Sequence, residues 1–330
     1  MLHFSGDRLN ELFHSFSQKK IMVVGDLMLD RYLWGSVSRI SPEAPVPVVD
    51  IDSQSVRAGG AANVSANVIS LGAQSIPVGV IGDDEAGQTL IQIFNEMELP
   101  VDGLIVDSSR PTTEKTRVIA NDQHVVRTDH EVRTDIYKDI QKKILEHIES
   151  HFDADGIILE DYNKGLLSPG LIHSIIKLAN TNKVPIFVDP KFTNFFEYKN
   201  VTLFKPNRKE VADKMGVHLN VETNLETVGF ELMKKLQCES LLITLGEHGL
   251  ALFESDQSMV QIPTRAKRVH DVSGAGDTVI ATLAVAFVSN ATMKEAATLA
   301  NHAAGIVCGE VGIVPISQDK LLDDIIHDQD

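Results

Sequence analysis

Asp271 to Gly276 form a polar, glycine-rich turn, and Asp277 stands where that turn runs into a long apolar segment reaching Ala286. The start of a helix leaves backbone N–H groups without partners and carries the positive end of the helix dipole, so it attracts anions. Gly274 and Gly276 lack a Cβ, which lets the main chain turn sharply and approach a phosphate closely. A carboxylate beside such a cradle can take the proton from a hydroxyl that attacks phosphorus. On the turn alone, Asp277 could equally do no more than cap or charge a helix end.

The elements that must position this turn alternate between strand and helix. IMVVG (21–25) is a short apolar run ending in glycine, as expected of a buried parallel strand, and Asp26 and Asp30 follow it. Ligands of open α/β sheets sit at the carboxyl ends of such strands, although either aspartate could instead form a local turn. GIILEDYNKG, VPIFVDPK and VTLFKPNRKE repeat the pattern of an apolar run followed by polar residues, and LLITLGEHGLALF reads as strand, glycine turn and strand. The arrangement predicts an α/β fold with a mainly parallel sheet flanked by helices, in one domain over residues 1–330. Two segments break the alternation. Prolines 42, 45 and 47 place an edge strand near Pro47–Ser53, and residues 115–131 read as a hairpin about Ala120–Gln123. Together they suggest a small sheet outside the main one. Leu9, Leu12, Phe13 and Phe16 recur at helical spacing, the last helix is expected over about 293–310, and the acidic tail from Gln318 is expected to be peripheral.

Hydrophobic residues at 43% and charged residues at 23% describe an ordinary globular chain. The net charge of −16 would be repelled by nucleic acid and by anionic membranes, while leaving room for a local basic pocket. GVIGDD lacks the GxGxxG spacing of a dinucleotide site. Cys238 and Cys308 have no metal-site spacing and read as small buried hydrophobes. With no secretory or transmembrane pattern, they point to a reducing, cytoplasmic setting.

DVSGAGDT resembles the signature of the ribokinase-like, or phosphofructokinase B, family of sugar kinases, and GGAANVSANVISLGA resembles its second signature. The resemblance implies that Asp277 is the catalytic base and that Ser273, Gly274, Ala275 and Gly276 build an anion hole for the transferred phosphoryl group. It implies sugar contacts from Asp26, Asp30, the backbone of Gly59 and Gly60, and Asn63. Asn207 and Glu210 match the family's NxxE motif, which organises the water shell of Mg2+; on spacing alone the pair would be a helix cap with a surface acid. Thr244, Gly246 and Gly249 match its nucleotide-binding turn, Asn301 falls where the nucleoside is contacted, and Lys205 and Lys191 are counter-charges for phosphates. The cofactors implied are ATP and Mg2+, with a place for a monovalent cation. The family also carries a small β lid over the sugar, here about 31–57 and 104–130, often shared across a homodimer.

Within the family, GDLMLDRYLWGSVSRISPEAPVPVV, EKTRV, VVRTDHE, DYNKG and VDPK are similar to kinases of D-glycero-D-manno-heptose 7-phosphate. These act on O1 in ADP-heptose synthesis, alone or joined to a nucleotidyltransferase that acts downstream. Another sugar or sugar-phosphate kinase of the family, or a sensor on the same scaffold, is the alternative. A substrate already bearing phosphate needs cations, and Arg117, Arg127 and Lys164 are the candidates. Phe192 stands where the family usually has glycine, and Ser273 replaces its commoner threonine.

Overall fold

The computed structural model describes residues 3–121, 123–266, 269–310 and 312–327. The N-terminal third comprises α1 (Gly6–Phe16), β1 (Lys20–Gly25), β2 (Leu27–Ile40), β3 (Pro47–Gly60), α2 (Ala61–Ser70), β4 (Gln74–Ile81) and α3 (Glu85–Glu96). There follow β5 (Leu104–Val106), β6 (Thr113–Ala120), β7 (Gln123–His130), α4 (Lys138–Ser150), β8 (Gly156–Glu160), α5 (Pro169–Asn182), β9 (Ile186–Asp189), β10 (Leu203–Phe204) and α6 (Arg208–Met215). The remainder is α7 (Leu225–Leu236), β11 (Ser240–Thr244), β12 (Leu250–Glu254), β13 (Met259–Ile262), α8 (Ala275–Val288), α9 (Met293–Val307) and α10 (Gln318–His327).

Nine strands form the main sheet in the order β13-β12-β11-β10-β9-β8-β1-β4-β5. Every pairing from β11 to β5 is parallel, and β12 runs antiparallel to both its neighbours. Successive side chains of a strand point to opposite faces, so each central strand feeds two cores. Ile21, Val23, Ile158, Phe187 and Leu242 enter the core under α1, α2, α8 and α9. Met22, Val24, Ile157, Leu159, Val188 and Leu241 enter the core under α4, α5 and α7. Burial on both faces is why these strands read as unbroken apolar runs.

A second sheet, ordered β3-β2-β6-β7, is built from two hairpins joined by a parallel β2–β6 pairing. Its register sets the chemistry of its faces. Asp30 sits opposite Arg57 on β3 and Lys115 on β6, and Tyr32 sits opposite Arg117. Lys115 and Arg117 in turn face Asp129 and Arg127 on β7. Opposed residues share a face, so one surface of this sheet carries Asp30, Tyr32, Arg57, Lys115, Arg117, Arg127 and Asp129.

Several sequence expectations need correction. β3 continues well past Ser53 to Gly60, and Asp30, for which a local turn was the alternative, lies within a strand, because β2 pairs β3 in unbroken register from Leu27 to Trp34. β5, inside the expected second lid segment, is the edge of the main sheet. The helix expected to reach residue 310 stops at Val307, and the acidic tail is not peripheral. Leu321 and Ile325 of α10 are buried, His302 meets Asp324 at 2.8 Å, and Gln318 bonds the Phe13 carbonyl. The apolar residues of α10 fall four apart on one face, and the surrounding aspartates hide that spacing in composition. Cys308 is half-buried, whereas Cys238 is buried, with its thiol pushed up to about 12 by that burial. Among the described residues no helix is long and apolar enough to cross a membrane.

Because Leu321 is fully enclosed, Leu321→Ala should cost about 2–5 kcal/mol in urea unfolding, as other core leucine truncations do. A loss below about 1 kcal/mol would mean that α10 is not part of the core.

Candidate active site

The carboxyl ends of the parallel strands converge under the start of α8. Asp26 follows β1, Glu160 ends β8, Asp189 ends β9, Lys205 follows β10 and Thr244 ends β11. Gly274 precedes α8 with φ of +79°, a left-handed conformation that favours glycine, and no side chain caps the helix. A Cβ on Gly276 would lie 3.5 Å from Lys205 Nζ and 3.6 Å from Asp189 Oδ2, which places the uncapped amides directly beside the buried charges. Ser273 N–H donates to Asp271 Oδ1 at 2.9 Å and closes the turn ahead of them.

Asp277 is buried, and each of its carboxyl oxygens has one donor. Oδ2 accepts from Asn63 Nδ2 at 2.7 Å and Oδ1 from the Tyr162 hydroxyl at 2.8 Å. The Asn63 amide is itself oriented. Asn67, one turn along α2, donates to its carbonyl oxygens, while Asn67 Oδ1 accepts from Thr278 Oγ1 at 3.1 Å and Ile316 N at 3.0 Å. α2 begins where it does because Gly60 adopts φ of +57° and Ala61 N–H donates to the Asp26 carbonyl. Burial raises the Asp277 pKa to about 6 against the pull of the Asn63 and Tyr162 hydrogen bonds.

Glu160, Asp189 and Asp277 bring one carboxylate oxygen each within 4.8 Å of the others, all buried. Neither oxygen of Glu160 has a hydrogen-bond partner among the described residues. Burial first, then Asp189 and Asp277, hold its carboxyl well above the ordinary range. Lys205 Nζ lies 2.7 Å from Asp189 Oδ2, and Lys191 Nζ lies 3.4 Å from Glu210 Oε1. Burial works against the charge of Lys191, but Asp189, Glu210 and Glu160 outweigh it and hold the pKa above its usual value. Lys191 also lies 4.7 Å over the Tyr162 ring, with Lys115 at 5.2 Å.

Asp26 is buried with Oδ2 accepting from the backbone N–H groups of Tyr162 at 2.8 Å and Lys164 at 3.0 Å. Burial, then Asp161, raises its pKa to about 6. Asp30 pairs with Arg117, and a Cβ on Gly59 would meet Asp30 Oδ2 at 2.1 Å. Arg117 and Arg57 lie 5.2 and 5.7 Å from the centre of the Tyr32 ring. Asn207 and Glu210 form a reciprocal cap on α6, and Asn207 bridges to Thr244, so the NxxE motif abuts the turn holding Gly246 and Gly249. Asn301 is buried in α9 and donates to the Pro263 carbonyl at 2.7 Å. Phe192 is exposed beneath Lys214 at 3.8 Å.

Asp26, Asn63, Lys205, Glu210 and Asp277 therefore gather in one cleft, with Asp30 and Arg117 on the second sheet beside it. The three sequence candidates for a phosphate pocket are less open than expected. Arg117 is engaged by Asp30, Lys164 lies 2.6 Å from Glu131, and Arg127 lies 2.9 Å from Asp129 on an exposed strand. Lys115 has no carboxylate within ion-pair distance among the described residues, and burial lowers its pKa. Sequence reasoning missed Lys115, Arg57, Glu160, Asp189 and Tyr162 as site residues. The acidic strand ends were visible signals for Glu160 and Asp189. Tyr162 lay within the DYNKG motif and Lys115 within EKTRV, but neither side chain was assigned a role there.

A profile of the pfkB family carbohydrate kinases matches residues 18–320. The bifunctional protein HldE of Helicobacter hepaticus is 44% identical over 311 residues, covering 94% of this chain and 64% of that protein. HldE of Geobacter sulfurreducens is 39% identical over 95% of this chain and 64% of its own length. The chain thus spans just under two-thirds of the length of these relatives. Among solved structures, Arabidopsis thaliana ribokinase complexed with ribose and ATP superposes with a TM-score of 0.75 at 19% identity, covering 93% of this chain and 98% of that one. Phosphofructokinase-2 from Escherichia coli in complex with potassium gives a TM-score of 0.78 at 16% identity, covering 94% and 99%. These two likenesses establish the ribokinase-like fold. The chain belongs to the pfkB family of carbohydrate kinases, phosphotransferases whose acceptor is a sugar hydroxyl.

Proposed function

We propose that this chain transfers the γ-phosphoryl group of ATP to O1 of D-glycero-D-manno-heptose 7-phosphate, giving the 1,7-bisphosphate for a downstream nucleotidyltransferase. The observation that carries a phosphotransfer reading is the buried Asp277 carboxylate, oriented by Asn63 and Tyr162 at the uncapped start of α8. The choice of heptose rests on the motifs spread from GDLMLDRYLWG to DVSGAGDT, and a cationic face of the second sheet suits an acceptor that already bears phosphate.

In the proposed reaction Asp277 takes the O1 proton as O1 attacks phosphorus in line. The amides of Gly274, Ala275 and Gly276, with Ser273 closing the turn, hold the transferred group as charge moves onto its oxygens. Asp26, Asp30, Asn63 and the backbone at Gly59 and Gly60 orient the sugar. Lys205, Thr244, Gly246, Gly249 and Asn301 hold the nucleotide. The carboxylate cluster and the orphaned Glu160 oxygens fit a hard divalent ion, which Glu160 and Asp189 would hold directly and Asn207 and Glu210 through water. Bound there, Mg2+ supplies positive charge to the phosphate oxygens. Tyr162 is a positioning residue, fixing the Asp277 carboxyl through its hydroxyl.

The second sheet acts as a lid that excludes water as a competing acceptor. Ile40, Val46, Ile51, Val125 and Val126 of this region are exposed, and they support a homodimer formed through the lid. Sedimentation velocity should give a dimer for the wild type that Val126→Glu shifts to monomer; a wild-type monomer at assay concentration would exclude this arrangement.

ADP release measured over a panel of acceptors should favour heptose 7-phosphate over fructose 6-phosphate and ribose. A preference for either of the latter would redirect the assignment within the family. In the same assay Lys115→Ala should raise KM for heptose 7-phosphate at least ~10-fold with little change in kcat, the expected result of losing ground-state phosphate binding.

Asp277→Asn should keep ATP binding and lose at least ~100-fold in kcat, the low end of general-base contributions. The base works only when deprotonated, so kcat should fall as pH drops through about 6. The Tyr162 hydrogen bond holds that value down, so Tyr162→Phe should move the acid limb to higher pH. An unmoved limb would remove Tyr162 from the positioning role.

A further inference from the structure

At the opposite end of the main sheet, Asp102 precedes β5, and His147 and His151 stand one turn apart at the end of α4. One ligand atom from each lies within 4.8 Å of the other two. Asp102 Oδ2 is 3.6 Å from His151 Nε2 and 3.9 Å from His147 Nδ1. We propose that Asp102, His147 and His151 form a binding site for a divalent transition ion of the zinc type, separate from the phosphotransfer cleft.

Geometry and protonation both fit such an ion. Two ligand atoms on a tetrahedral ion with bonds of about 2.05 Å stand roughly 3.4 Å apart, so Asp102 needs to close on each imidazole by only a few tenths of an ångström. The Asp102 side chain is exposed and free to make that adjustment. His151 Nδ1 lies 3.0 Å from both the His147 carbonyl and Ser150 Oγ. A carbonyl only accepts, so Nδ1 carries the proton and the lone pair sits on Nε2, facing Asp102. This is the outer hydrogen bond that fixes a ligating imidazole.

His147 Nδ1 faces Asp102, while its buried Nε2 has no hydrogen-bond partner among the described residues. The last turn of α4 contributes the negative end of its dipole. Two imidazoles and one carboxylate favour zinc over magnesium, which prefers an all-oxygen shell, and leave a fourth position for water. Bound there, the ion would tie the end of α4 to the approach to β5 and stabilise the fold by mass action.

The chelator-stripped chain, titrated with ZnCl2 in equilibrium dialysis and with CoCl2 by visible absorption, tests this without reference to kinase activity. The expected result is a zinc equivalent whose affinity falls at least ~10-fold in both His151→Gln and Asp102→Asn, with the zinc-dependent rise in Tm and the cobalt band lost. Both substitutions lie at half-exposed or exposed positions, and unchanged metal-free Tm values establish that the variants fold. If the wild type takes up no zinc, or if both variants keep its affinity and cobalt spectrum, the site does not exist. Zinc retained by the variants would belong to the Glu160, Asp189 and Asp277 cluster.

Discussion

The Asp277 carboxyl accepts from Asn63 and Tyr162 while burial pushes its pKa from 3.8 to about 6. That shift corresponds to about 3 kcal/mol of penalty on the charged form. Two hydrogen bonds therefore do not offset desolvation by themselves. Lys205, at 2.7 Å from Asp189, supplies positive charge to the same pocket, and the uncapped amides of α8 supply more. The neighbouring elements follow from this requirement. α2 must enter at an angle that aims Asn63 at the carboxylate, and the Asn67–Thr278 pair locks the two helices in that relation. β8 must end where Tyr162 reaches over the cleft.

The same economy of parts appears in the second sheet. Its pairing puts Asp30, Arg57, Lys115 and Arg117 on one face, and the register fixes which cations are neutralised. Asp30 holds Arg117, while Lys115 lies against an aromatic ring without a carboxylate partner among the described residues. A slip of one residue would turn this whole set to the other face, so the chemistry of the cleft depends on backbone register as much as on residue type.

The NxxE motif combines a helix cap with an ion pair. Asn207 and Glu210 cap α6 reciprocally, yet the remaining Glu210 oxygen lies 3.4 Å from Lys191. A capping box and a cation-organising pair use different oxygens of the same carboxylate, so the helix-cap reading and the metal-shell reading are compatible.

By itself the sequence determined the fold class, because apolar runs of strand length alternating with helix-period segments admit few packings besides a parallel sheet between two helical layers. It also marked the start of α8, since two glycines one residue apart at the head of an apolar segment and an aspartate at the junction are local features. Long-range partnerships were decided only in three dimensions. Tyr162 and Asp277 lie 115 residues apart, and Asn63 and Asp277 lie 214 apart. Nothing in local spacing reveals that a tyrosine after one strand will bond a carboxylate in the first turn of a distant helix. The same holds for Glu160, whose orphaned oxygens follow from enclosure by other strands, and for α10, whose core contacts its own acidic composition concealed. Local pattern chooses the elements. Which buried charges must share a pocket depends on how those elements close around one another, because desolvation and Coulomb interaction act across space and not along the chain.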